Sequence, residues 1–127
     1  MVSFYMEKQG GNLKIFLVDD DNLSLKILSP MLKKEGFEVE SENDPSEAIK
    51  KIREKDFDLV VTDICMPRID GFQIFREVKK KNSRIPVIGI SSSFTRTDDV
   101  SLADFHAVFL KPLDREKFIK IIKKAAA

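Results

Sequence analysis

At 127 residues, with 43% hydrophobic side chains, the chain has enough apolar surface for one domain with a single core and no metal or disulfide staple. One cysteine excludes an internal disulfide and fits a reducing compartment, and a net charge of +1 with lysines scattered among glutamates gives no field for nucleic acid. No apolar stretch nears the roughly 20 residues of a membrane span, and Val2-Ser3-Phe4-Tyr5-Met6 is too short for a signal-peptide core, so a soluble, cytoplasmic chain is expected.

Residues 1–12 read as an N-terminal tail ending in Gly10-Gly11. The run Leu13-Lys14-Ile15-Phe16-Leu17-Val18 predicts a first strand that ends on Asp19-Asp20-Asp21. A helix is expected from about Asn22 to Glu35, with Leu25, Leu28 and Leu32 on one face, Gly36 as its stop, and Pro30 kinking or interrupting it. Phe37 to Ser41 alternates as a strand near a sheet edge does. Asp44-Pro45-Ser46-Glu47 opens a second helix, with Asp44 as cap, Pro45 at the first helical position and Glu47 in the capping-box position.

Leu59-Val60-Val61-Thr62-Asp63 is an apolar, β-branched strand that ends on a carboxylate and is stopped by Pro67. Phe72, Phe75 and Val78 predict a helix from Gly71 to Lys81 with its aromatics in the core. Pro86 to Ile90 lacks alternation, as a strand buried on both faces does. Residues 94–106 predict a short helix between loops. Val108 to Leu110 is the last strand, ending on Lys111-Pro112, and Leu113 to Lys124 is the last helix, packing through Phe118, Ile121 and Ile122. The domain therefore spans 13–124, with 125–127 as a C-terminal tail. Five β-α units without repeats predict an α/β fold, a doubly wound five-stranded parallel sheet with helices on both faces.

Three strands thus deliver acids and a base to one edge, the edge where open parallel sheets bind ligands. Crowded carboxylates repel unless a cation sits among them, and the hard, oxygen-seeking Mg2+ is the natural guest, which points to phosphate chemistry. A lysine facing that site would stabilise a transferring phosphoryl group, and a carboxylate can itself be the nucleophile. Asp63, isolated at its strand end, is the better candidate for that role.

Val18-Asp19-Asp20-Asp21, Asp63-Ile64-Cys65-Met66-Pro67 followed by Asp70-Gly71-Phe72, Pro86-Val87-Ile88-Gly89-Ile90-Ser91 and Lys111-Pro112 come in that order, each at a predicted strand end. In this the chain resembles the receiver domains of response regulators in two-component signalling. The resemblance implies a flavodoxin-like receiver fold with strand order 2-1-3-4-5. It further implies Asp63 as phosphoacceptor, Ser91 and Lys111 as the groups that contact the phosphoryl oxygens, and Mg2+ held by Asp20, Asp63 and the Cys65 carbonyl, with Asp19 acting largely through bound water. Ser92 lies where the family keeps a small residue. The implied partners are a sensor histidine kinase or histidine phosphotransfer protein and a downstream output protein or domain, with dimerisation on phosphorylation among the outcomes. Neither direct nucleic-acid binding nor membrane association is expected. Catalysis would be limited to the chain's own phosphorylation and dephosphorylation, so it is not expected to be an enzyme. Two departures stand out: Val108 replaces the usual aromatic three residues before the lysine, with Phe109 beside it facing the other way, and the stretch between Ser91 and Lys111 is slightly short. The region from Ser91 to about His106 is therefore expected to carry the switch, with Phe94 or Phe105 standing in for the aromatic.

Blander readings exist for each residue. Asp20 and Asp21 also suit a helix start, Ser91, Ser92 and Ser93 suit a loop, Cys65 reads as a small filler, and His106 as a surface residue. Asp19-Asp20-Asp21 also resembles the start of haloacid-dehalogenase-type phosphohydrolases, with Asp19 as nucleophile, but Leu23 stands where they keep Thr or Val and Asp98-Asp99 precedes Lys111. A pseudo-receiver that binds partners without being phosphorylated is the other alternative. The ending Ala125-Ala126-Ala127, just after the last helix, leaves open a piece of a longer protein.

Overall fold

A computed structural model describes residues 13–92 and 102–127. In chain order these form β1 (Lys14–Val18), α1 (Asn22–Lys34), β2 (Glu38–Glu42), α2 (Pro45–Glu54), β3 (Leu59–Asp63), α3 (Gly71–Lys81), β4 (Val87–Ser91), a 3-10 turn (Leu102–Asp104), β5 (Ala107–Leu110) and α4 (Arg115–Ala126). The strands make one parallel sheet in the order β2-β1-β3-β4-β5, the expected order. The tail at 1–12, Ser93, Phe94 and Asp98-Asp99 lie outside the described residues.

Strand parity explains the two apolar layers. Ile15, Leu17, Leu59, Val61, Ile88 and Ile90 face one side, where they meet Leu25, Leu28 and Leu32 of α1 and Phe118 and Ile122 of α4. Phe16, Val18, Val60 and Val87 face the other, against Ala48 and Ile52 of α2 and Phe72, Phe75 and Val78 of α3. β3 and β4 are buried along their whole length, which is why they do not alternate. The outer strand β2 is only partly buried. Its Glu40 and Glu42 pair with Lys51 and its Glu40 with Lys55, which puts charge along an edge that would otherwise invite another strand.

Several local details differ from the sequence reading. α1 runs unbroken through Pro30, because Pro30 and Lys26, whose carbonyl loses its helical partner, are on the exposed side while buried Leu25, Leu28 and Leu32 hold the turns on both sides. The helix then closes as a Schellman motif: Gly36 has φ 97°, its N–H reaches the Lys33 carbonyl at 3.0 Å, and Phe37 N–H reaches Leu32 at 3.4 Å. At α2, Asp44 does cap, accepting from Ser46 N–H at 3.0 Å, but its own N–H is taken by Glu42 Oε2 at 3.0 Å in the place expected for Glu47. The reciprocal capping box is instead at α3, between Asp70 and Gln73. α4 begins two residues later than expected, where Asp114 caps it, and continues to Ala126, so 125 and 126 are helical and Ala126 is buried rather than in a tail.

Parallel strands in register bring their carboxyl ends level: Val18 opposite Thr62, Asp63 opposite Ile90, Ser91 opposite Leu110. Because β2 lies on one side of β1 and β3 on the other, the switch point of the sheet falls between β1 and β3. Asp19 and Asp63 stand on its two sides.

Candidate functional site

Asp63 is the last residue of β3 and is nearly buried. Its Oδ1 accepts from Cys65 N–H at 3.1 Å, and its Oδ2 lies 3.4 Å from Lys111 Nζ. The turn that follows is shaped for this. Arg68 takes φ 66°, Ile69 N–H bonds Pro67 at 2.7 Å, and Gly71 N–H returns to the Ile64 carbonyl at 2.9 Å. A Cβ on Gly71 would lie 2.6 Å from both the Asp63 carbonyl oxygen and Ile64 Cα, so only glycine lets α3 start this close to the strand end. Asp70 caps α3 by accepting from Phe72 and Gln73 N–H, and with Gly71 it sets the turn that follows the carboxylate.

Across the switch point, Asp19 is 1% exposed, with Oδ1 accepting from Asp21 N–H at 2.9 Å and Oδ2 accepting from Lys111 at 3.1 Å. Asp20 beside it is exposed. Each of Asp19, Asp20 and Asp63 offers a carboxylate oxygen within 4.8 Å of the others. Lys111 follows β5 through a backbone bond from its N–H to Ser91 O at 2.9 Å, and the Lys111–Pro112 peptide is cis. Ser91 is fully buried, and its Oγ lies 3.6 Å from Cys65 Sγ.

The electrostatics are those of an acid cluster short of positive charge. Burial, and then the neighbouring Asp19, push the Asp63 carboxyl up to about 6, against the pull of Lys111 and the Cys65 N–H. Burial works against the Lys111 ammonium, but its hydrogen bond to Asp19 and the charges of Asp63 and Asp19 outweigh it and raise its pKa. The ammonium meets two of the three carboxylates, Asp19 and Asp63. Hard oxygen donors with a surplus of negative charge are what a small divalent cation fills, so the donor set fits Mg2+.

Asp19, Asp20, Asp63, Cys65, Ser91 and Lys111 thus all meet at one edge, as expected from sequence. Val108 and Phe109 do face opposite layers, Phe109 packing edge-on to Phe118 at 5.4 Å. Cys65 is exposed, so it fills no core space. Phe105, by contrast, is buried against Phe75 at 4.8 Å and Phe72 at 5.8 Å. A Cβ on Gly89 would lie 3.2 Å from the Phe105 ring and 2.6 Å from Ile64 Cδ1, so the two side chains occupy the space glycine leaves. His106 is exposed. Sequence reasoning missed Ser24, whose Oγ lies 3.5 Å from Lys111 Nζ; its spacing of three from the cap Asp21 was the available signal. It also missed a groove of about 290 Å3 beside Lys111, walled by Ile27, Leu28, Met31, Pro112 and Leu113. Ile27 is 55% exposed there, and Leu23 one turn earlier 65%.

The model of the family described as response regulator receiver domain matches residues 15–123. The transcriptional regulatory protein ZraR of Klebsiella oxytoca is 35% identical over 121 residues, covering 93% of this chain and 27% of that protein. The hybrid signal transduction histidine kinase L of Dictyostelium discoideum is 32% identical over 124 residues, covering 87% of this chain and 7% of that protein. The chain thus spans about a quarter or less of the length of these relatives. Among solved structures, a receiver domain protein from Clostridium thermocellum superposes with a TM-score of 0.80 at 27% identity, covering 90% of this chain and 94% of that one. The response regulator protein TrrA from Thermotoga maritima, in complex with Mg2+ and BeF, does so with a TM-score of 0.80 at 27% identity, covering 89% and 98%. With most of its length matched and its strand order and acid-bearing edge in place, the chain belongs to the response regulator receiver domains.

Proposed function

We propose that this receiver domain, residues 13–124, accepts a phosphoryl group on Asp63 from phosphohistidine of a sensor kinase or phosphotransfer protein and so changes its affinity for an output partner in the cytoplasm. The observation that carries the reading is the shared placement of Asp63 and Asp19 around the Lys111 ammonium, at 3.4 and 3.1 Å, on the two sides of the switch point. In the transfer the P–N bond of the donor breaks as a P–O bond to an Asp63 oxygen forms. Lys111 and the Ser91 hydroxyl supply donors to the phosphoryl oxygens, and the low exposure of Asp63 and Ser91 keeps water from competing. Asp19, Asp20, Asp63 and the Cys65 carbonyl would hold Mg2+, which when bound offsets the carboxylates and binds a phosphoryl oxygen. Receiver domains are not enzymes in the usual sense, and this chain is read in the same way.

The groove beside Lys111 supports a protein as donor. Its apolar wall, which includes exposed Ile27, borders the lysine that touches Asp63, and exposed Leu23 lies one turn before Ile27 on α1. A partner helix seated there lies beside the lysine that touches Asp63. For output, Val108 is β-branched and short, so it cannot sweep out the volume an aromatic would. Phe105, which touches the space over Gly89 two residues before Ser91, is the aromatic placed to respond when Ser91 moves toward a phosphoryl group.

The test is incubation with Mg2+ and acetyl phosphate. One acid-stable, base-labile phosphoryl group is expected on the wild type and none on Asp63→Asn. Label that moves to Asp19 in that variant favours hydrolase chemistry, and no label on the wild type favours a binding module. Asp20→Asn is expected to weaken Mg2+ binding and labelling together, whereas Lys111→Ala lowers labelling with metal affinity largely kept. Equal Mg2+ affinity in wild type and Asp20→Asn overturns the metal assignment.

A further inference from the structure

An ammonium has three N–H donors and no acceptor. Two donors of Lys111 meet carboxylates, Asp19 Oδ2 at 3.1 Å and Asp63 Oδ2 at 3.4 Å. The third faces Ser24 Oγ at 3.5 Å, in the first turn of α1. The Ser24 hydroxyl in turn faces Asp21 Oδ2 at 3.5 Å. The direction of this chain follows from its ends: the ammonium only donates and the carboxylate only accepts, so the hydroxyl accepts from Lys111 and donates to Asp21. Asp21 is itself held, since its Oδ1 caps α1 by accepting from Leu23 N–H at 2.9 Å. One hydroxyl thus moors the site lysine to the helix cap.

This matters when the ligands of the lysine change. Once Asp63 carries a phosphoryl group its charge moves outward onto the new oxygens, and Lys111 must trade a carboxylate oxygen for one of them. The contact to Ser24 is the one that this trade leaves alone. We propose that Ser24 is a positioning residue for phosphoryl transfer, holding the Lys111 ammonium over Asp63 through its hydroxyl while the lysine exchanges partners. The proposal rests on the reading of Asp63 as phosphoacceptor. Both contacts of Ser24 are long, so its effect is modest beside that of Lys111 itself.

A double-mutant cycle on the full chain tests it, with the initial rate of labelling by acetyl phosphate at fixed Mg2+ as the readout and the thermal midpoint of each variant as a control for the cap. Ser24→Ala is expected to slow labelling roughly two- to five-fold, Ser24→Thr to restore it, and Ser24→Ala to have no effect in a Lys111→Ala background. Equal slowing in both backgrounds, or none in either, overturns the positioning role while leaving Asp63 as acceptor. Failure of the wild type to take up label overturns both.

Discussion

The two halves of the sheet edge are built differently. On the β1/β3 side, the acids are fixed by backbone: Asp63 by the Cys65 N–H, Asp19 by the Asp21 N–H, and the turn after β3 by Gly71 lying against the strand's own backbone. On the β4/β5 side, the Ser91 hydroxyl and the Lys111 ammonium meet side chains, Cys65 Sγ and the carboxylates of Asp19 and Asp63, and the space over Gly89 is filled by the ends of Ile64 and Phe105. A carboxylate that must meet a metal and a phosphorus needs a rigid frame. A hydroxyl and a lysine that must report a new charge need neighbours that can yield.

The two glycines separate these halves most sharply. In Gly71→Ala the new methyl meets backbone atoms that cannot turn aside, so a loss of about 3 kcal/mol in urea unfolding and a collapse of Asp63 labelling are expected. In Gly89→Ala it meets the tip of an isoleucine and a ring edge, so a loss of about 1 kcal/mol is expected, with labelling kept. Equal losses would erase the distinction.

The next effect is electrostatic. The carboxyl of Asp63 stands near 6 in the folded chain against an ordinary 3.8, so folding binds the extra proton and stability falls as pH rises between these values. Asp63→Asn removes that liability. In metal-free buffer it is expected to be more stable than wild type by ~1–2 kcal/mol above pH 6, the gain fading as pH falls toward 4. A gain that grew on acidification would show that the carboxylate is a stabilising group. For the groove, Ile27→Glu is expected to slow transfer from a phosphorylated partner protein about tenfold while leaving acetyl phosphate labelling unchanged. Equal slowing with both donors would remove the groove from the docking surface.

Much of the edge was legible from sequence because its signals are local and type-specific: apolar runs that stop on Asp63 and Asp19 in the acid half and on Lys111 in the other. The strand order came with the family resemblance. What stayed hidden depends on through-space packing. Nothing in Gly71 alone says that its missing Cβ lies against Ile64, and Glu42 could take the place expected for Glu47 only because β2 runs straight into the α2 cap. Pro30 misled because its cost depends on which face of α1 it occupies. The exposure of Cys65 and the contact of Ser24 with a lysine 87 positions away are properties of the folded edge.

Backbone amide shifts of the labelled chain with and without beryllofluoride and Mg2+ test the central claim most directly, since this mimic of an aspartyl phosphate requires both the acceptor and the metal. The account predicts saturable binding that Asp63→Asn abolishes, with large shifts at Ser91, Ser92, Leu102–Asp104 and Phe105 and small ones in the frame from Asp70 to Phe75. No binding, or shifts centred on Val108 and α4 with Phe105 unmoved, would contradict it.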